Sequence, residues 1–294
     1  MKTQLFLFLI LTAFFCYNIE TNAAVNVSNP RAIGLGGAYI GLAEGAEAPH
    51  WNPANLALRD ERFFSMNFLS FGMGFHNNSF SKHQYDIYNG QKLDLDDIIN
   101  SIPDGGFNVD ITGAVEILGF GFGNYAFTIT GVAPAWAKIN KDIPRLIKGN
   151  EIGRKYNFGG SDGRGLAYIS YDFSGALPIE VEWFDRFAIG ANLKYLQGIA
   201  GGELVKLNGN LLTDAAAING QIDGTARMAQ GGNGISFDLG AMAIVNEKWT
   251  IGLSFTDLLN TISWSNKPEE IQFSALIDSI NLEKWTEYEE IDSL

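Results

Sequence analysis

Cysteine is all but missing from this chain. The single one, Cys16, falls in an apolar leader, so the exported chain is expected to hold no disulfide and to rest on its fold for stability. Histidine is scarce as well. His50, His76 and His83 are scattered over two segments, and the spacing of the last two puts them on opposite faces of any shared strand, which argues against a metal site. Basic residues number 20 against 33 acidic ones, a formal net charge of −13. Phosphate contacts need basic patches, so nucleic acid is not expected as a partner, nor is polybasic attachment to a membrane surface. No run of 18 apolar residues follows the leader, which argues against helical membrane spans. A Gly-x-Ser-x-Gly elbow and a phosphate loop are both lacking. The pairs Gly159-Gly160, Gly201-Gly202 and Gly231-Gly232 stand in turn contexts. The acidic pairs Asp96/Asp97 and Glu289/Glu290 read as solvated faces. No catalytic residue, metal or cofactor is expected, and the chain does not read as an enzyme.

What is present points elsewhere. Charged residues make up 18% of the chain, below the usual level of about 25%, while aromatics reach 13% and glycines number 34. This composition favours a turn-rich, all-β chain. Lys2, the apolar run Leu5 to Phe15 and the small residues Thr21-Asn22-Ala23 form a signal peptide over 1–23, cleaved after Ala23. The chain is therefore expected to be exported.

The main structural signal is period-2 alternation. Phe187, Ile189, Ala191, Leu193 and Tyr195 share one strand face, and Ala188, Gly190, Asn192 and Lys194 the other. Ile235, Phe237, Leu239, Ala241 and Ala243 alternate with Ser236, Asp238, Gly240 and Met242. Trp249, Ile251, Leu253 and Phe255 alternate with Thr250, Gly252, Ser254 and Thr256. The polar faces carry small groups and few charges. Water-facing sheet surfaces usually carry more charge, whereas a confined lumen accepts small polar residues. Aromatics gather near strand ends, at Trp136, Tyr171, Phe173, Trp183, Phe184, Trp249 and Trp264, in the manner of membrane-interface girdles.

Eight strands are expected, near 62–85, 107–120, 124–137, 165–174, 184–199, 220–245, 249–261 and 270–278, with Gly72, Gly74 and the 231–234 cluster as places where the long ones bend or split. The intervening connections alternate. Long ones cover 86–106, 138–164, 200–219 and 262–269, and short ones cover 121–123, 175–183 and 246–248, the parity of a barrel with short turns on one side. Two long loops carry short helices, one opened by Asp94 and one running from Asp142 through Pro144 to Gly149.

Residues 24–60 precede these strands as a Gly/Ala-rich stretch punctuated by two Asn-Pro pairs. Too small to build a core, this stretch suits a plug inside a barrel. An eight-stranded barrel is filled by its own side chains and leaves no room for one. The acidic end 285–294 shows no clean strand. A wider barrel over 61–294, with C-terminal strands beyond this sequence, is the resulting expectation.

The elements Gly34-Leu35-Gly36-Gly37-Ala38-Tyr39, Ala46-Glu47-Ala48 and Asn52-Pro53-Ala54-Asn55-Leu56 resemble the N-terminal hatch of the FadL-like outer-membrane family. Gly234 to Ala241 and Ile262-Ser263-Trp264 look like strand motifs of a Bacteroidetes-type branch. The resemblance implies an all-β, transmembrane antiparallel barrel of 14 strands, about eight of them within this sequence. It implies an outer-membrane channel that takes up hydrophobic compounds, fatty-acid or aromatic-like, through a hatch-gated lumen. Other branches act as scaffolds in protein secretion or surface assembly. The hatch residues are then Gly34, Gly36, Gly37, Asn52, Pro53 and Ala54. The polar side of the alternation supplies candidate lumen residues Glu116, Asn192, Lys194, Ser236 and Asp238. Expected partners are outer-membrane lipid, a hydrophobic small molecule and secretion-system proteins. A soluble periplasmic β-sandwich is the remaining alternative, and it would carry charge on its outward sheet faces.

Overall fold

The computed structural model describes residues 29–58, 63–81, 95–214, 217–246, 248–266 and 268–281. The signal peptide, Cys16, His83 and the acidic stretch 285–294 lie outside the described residues.

Nine strands form one antiparallel sheet: β1 (Phe64–Asn77), β2 (Phe107–Phe122), β3 (Tyr125–Ile139), β4 (Lys155–Asn157), β5 (Asp162–Ile179), β6 (Arg186–Thr213), β7 (Ala217–Asn246), β8 (Trp249–Trp264) and β9 (Glu269–Asn281). Neighbours follow the order β1-β2-β3-β5-β6-β7-β8, with β4 added to β6 and β9 to β7. Register resolves the two additions. β4 meets Asn210–Leu212 of β6 while β5 meets Phe187–Leu204, so β4 and β5 lie end to end in one lane. Likewise β8 pairs with Gly232–Asn246 of β7 and β9 with Ala217–Met228, so they too form one lane, interrupted after Trp264.

Several expectations need correction. Among the described residues the sheet is not closed into a barrel by hydrogen bonds, and β1 and the β8/β9 lane are its edges. The described residues hold nine strands, where eight were expected. The long connection expected over 200–219 is instead a continuation of β6 and β7, which pair as far as Thr213 and Ile218. Glycine and asparagine weaken the local strand signal there, and cross-strand pairing overrides it. The expected connection 262–269 shrinks as well, because β8 stays paired with β7 through Trp264 and β9 starts at Glu269. Gly231, at φ 63°, does not split β7, and β1 runs through Gly72 and Gly74, its irregular residue being Leu69 at φ 45°.

Short helices sit in the two loops expected to carry them, but Asp142 is not a cap: the N-cap position is Lys141, without a side-chain bond, and Asp142 lies in the first turn. Asp94 lies outside the described residues. Leu95–Ser101 has Asp96 and Asp97 in its first turn, and Asp142–Lys148 ends at Gly149. Lys148 of the second pairs with Asp96 of the first. Residues 29–58 form one short helix, Pro30–Gly34, capped by Asn29, and two 3-10 turns, Gly45–His50 and Pro53–Ala57. Gly36 and Gly37 take the left-handed backbone (φ 63° and 85°) that turns the chain out of the helix. Gly34 makes no such demand.

The core lies between this N-terminal segment and one face of the sheet. Leu56 and Ala48 pack on Ala126 and Ala176, and Ala54 and Leu58 pack on Ala188 and Met242. The first 3-10 turn covers β1–β3 and the second covers β5–β7. The opposite face is uncovered and apolar: Phe71 is 81% exposed, Met73 76% and Leu193 60%. The alternation was legible in the sequence, and its sense is inverted relative to a water-soluble sheet. Among the described residues, no helix is long and apolar enough to cross a membrane.

Candidate functional site

The covered face holds two linked constructions, a socket for the N-terminal segment and a buried polar cluster beyond it. The socket begins with Asn52, which is fully buried. Its Oδ1 accepts from Ala54 N at 3.0 Å and caps the second 3-10 turn. Its Nδ2 donates to the carbonyls of Ala241 (3.1 Å) and Leu253 (3.4 Å), on β7 and β8. Such an approach to the sheet needs bare backbone beneath. A Cβ at Gly240 would stand 2.9 Å from Pro53 Cδ, and one at Gly190 would stand 2.7 Å from Ala54 Cα. A second contact repeats the device: Ala46 N donates to Ser65 Oγ at 2.9 Å, and a Cβ at Gly121 would stand 2.8 Å from Ala46 N. Asn55 ties the segment to itself, donating to the carbonyls of Ile40 (2.9 Å) and Ala43 (3.0 Å), while Arg186 reaches back to the Leu58 carbonyl at 2.8 Å. Asn52→Ala removes a cap and two sheet contacts, so stability in urea should fall by about 2 kcal/mol, against about 1 for loss of an ordinary cap.

Three of the five candidate lumen residues meet directly. Lys194 Nζ lies 2.9 Å from Asp238 Oδ1 and 2.8 Å from Asp257 Oδ1. Asn192 Nδ2 donates to Asp238 Oδ2 at 2.8 Å and Ser174 Oγ donates to Asn192 Oδ1 at 2.7 Å. Asp257 N also donates to Asp238 Oδ1, at 2.7 Å. Asp238 is wholly buried, and both its oxygens are bonded. Ser236 lies one register step away and donates to the Leu258 carbonyl at 3.4 Å. Glu116 stands apart on β2, accepting from Asn67 Nδ2 at 3.2 Å and facing His50 of the N-terminal segment at 3.9 Å.

Sequence reasoning missed Asp172, Ser174, Asp257 and His50. Asp172 and Ser174 obey the same alternation as Ser170 on β5, so period-2 counting would have found them. Asp257 breaks it. With Trp249, Ile251, Leu253 and Phe255 outward, residue 257 should also point outward. A bulge at Asp257 (φ 56°) and Leu259 (φ 55°) shifts the register against β7 and turns the carboxylate onto Lys194.

His50 joins the two constructions. Its side chain is 10% exposed and its Nε2 makes no hydrogen bond. Burial alone pulls the imidazole pKa down, but interaction with the Glu116 carboxylate and the field of Asp172 outweigh it, and the net shift is upward. A raised folded-state value means that the contribution is complete below the unfolded value of about 6.5 and lost as pH climbs through the folded one. Stability should therefore decline from about pH 6.5 upward. His50→Gln should flatten that part of a urea-midpoint profile; an unchanged profile would remove His50 from the account.

Among the described residues, no group of three His, Cys, Asp or Glu side chains is placed to hold a metal. The cluster's chemistry is charge compensation within a shielded space.

DUF5723, described as a family of unknown function, matches residues 53–293, from the Asn-Pro-Ala turn through the whole sheet. No curated protein and no solved structure matches the chain. A match of that extent makes the chain a member of DUF5723.

Proposed function

We propose that this sheet is the wall of an outer-membrane β-barrel of the FadL-like type, with residues 29–58 as its hatch, and that it admits hydrophobic small molecules. The observation that carries the reading is the inverted alternation. Small polar residues face the covered side, while Phe71, Met73, Ile189, Leu193, Ile235 and Ile251 face out. In water such a surface invites aggregation; against lipid it is the stable arrangement. The outward band has polar limits. Tyr171 bonds to Gln197 at 3.1 Å, and Tyr195 bonds to Asn233, at one end of the band. Tyr125 and Trp249 stand at the other. Between Phe187 and Tyr195 the band matches the roughly 9–11 residues of a membrane-spanning strand.

Lipid also demands that edge N–H and C=O groups be paired. Each step from β1 to β8 in the sheet order is antiparallel, so β1 and the β8/β9 lane run in the same direction. An all-antiparallel ring then closes only with an odd number of additional strands. A scaffold role in secretion or assembly is the second reading. It draws on the extension of β6, β7 and β9 past the outward band, where Ile271, Phe273 and Leu276 lie exposed.

Fractionation tests the proposal. The protein should sediment with outer membranes and migrate faster on a gel unheated than boiled. A soluble periplasmic monomer would overturn both readings. A stoichiometric co-purifying protein, with no change in uptake on deletion, would favour the scaffold.

A further inference from the structure

Beyond the polar cluster, on the same covered face, lies a cavity of about 440 Å³ that neither the hatch nor the cluster fills. Its floor is aromatic. Trp264, at the end of β8, lies over bare β6 backbone: a Cβ at Gly201 would stand 2.6 Å from its ring, and one at Gly198 would stand 3.1 Å away. Leu166 and Ile262 line the cavity beside it, with Tyr168 and Asn260. Its rim is a row of charge set by strand register. Arg164 of β5 stands opposite Glu203 of β6, Glu203 opposite Arg227 of β7, and Arg227 opposite Glu270 of β9. The row is bonded in pairs, Arg164–Glu203 at 3.1 Å and Arg227–Glu270 at 3.2 Å.

Each feature restricts the ligand. A volume of this order suits a small molecule, and binding sites of that kind combine apolar walls with a few directional polar groups. An indole in the lining offers a ring-shaped ligand an aromatic surface to pack on. The rim is charge-balanced, so an anion would have to displace Glu203 or Glu270 from its arginine and sit beside a second carboxylate. A cation meets the converse obstacle. An uncharged ligand meets neither, and the guanidinium donors and carboxylate acceptors remain able to bond hydroxyl or amide groups.

We propose that this cavity binds an uncharged ring compound with hydrogen-bonding groups on its edge, such as a glycoside, packed on Trp264 and held by Arg164, Glu203 and Arg227. The site goes beyond the uptake reading and does not depend on membrane placement.

Tryptophan fluorescence of the full chain in a zwitterionic detergent tests it, with 4-nitrophenyl glucoside as the uncharged probe and 4-nitrophenyl glucuronide, the same ring bearing a carboxylate, as the anionic one. Saturable quenching by the glucoside, and none by the glucuronide, is expected. Trp264→Ala should weaken the glucoside response about tenfold. Glu203→Gln, which leaves a rim arginine uncompensated, should make glucuronide binding measurable where the native protein has none. That gain of response cannot come from misfolding. Absence of saturable glucoside quenching, glucuronide binding to the native chain, or a Glu203→Gln variant still blind to the glucuronide would each overturn the proposal. Outer-membrane sedimentation is scored separately, so the two proposals fail independently.

Discussion

Gly190→Val is expected to unseat the N-terminal segment and lower stability by about 3 kcal/mol, the upper end for overpacking. Valine suits a strand, so β6 itself tolerates the change. The damage arises above it. Gly190 lies under the Pro53–Ala54 peptide, and Asn52 pins that peptide through two sheet carbonyls. Neither side can move away without breaking those bonds. Losing the seat also exposes Ala54, Leu56 and Leu58, which cover Ala126, Ala176, Ala188 and Met242. Gly202→Val supplies the comparison. It lies on the same strand, and a Cβ there would meet nothing nearer than the Arg227 carbonyl oxygen at 3.9 Å. Urea midpoints and limited proteolysis check both. Early cleavage within 29–58 should occur in Gly190→Val alone, and equal behaviour of the two variants would contradict the socket.

Lys194→Met should be at least as damaging. Asp238 is wholly buried, and Lys194 is its nearest cation. Removing one partner of a buried pair leaves an uncompensated charge, which costs about 3–5 kcal/mol. The pair itself adds little net stability, because both charges were taken out of water. The second substitution should therefore reverse the first: Lys194→Met with Asp238→Asn should recover most of the loss. Denaturant midpoints of the two single variants and the double decide this. A single variant as stable as the native protein, or a double no better than the worse single, would mean that Asp238 is not held as a buried carboxylate.

The strands and the identity of each face were legible because period-2 alternation records them directly. From that alternation, Asn192, Lys194, Ser236 and Asp238 could be assigned to one face before any partner was known. Glu116 belongs to the same face but to a different contact, since alternation gives a face and not a neighbour. Three things were not legible. The 200–219 region reads as loop because Gly201, Gly202, Gly209 and Asn210 weaken local strand preference, whereas pairing between β6 and β7 supplies what propensity lacks. Asp257 reads as outward because a bulge leaves no period signal. The role of Asn52 could be guessed as a turn cap, but its bonds to Ala241 and Leu253 join residues some 190 to 200 positions apart, which the fold alone brings together.

The central claim is that the face bearing Leu193 meets lipid and the face bearing Ser236 does not. Cys16 is the sole native cysteine, so single cysteines can be placed at each position in a Cys16→Ser chain. Each is labelled with a polarity-sensitive fluorophore and reconstituted in vesicles with brominated acyl chains. Blue-shifted emission and strong bromine quenching are expected at position 193, with neither effect from lipid at 236. Water-like emission at 193, unaffected by brominated lipid, would contradict it.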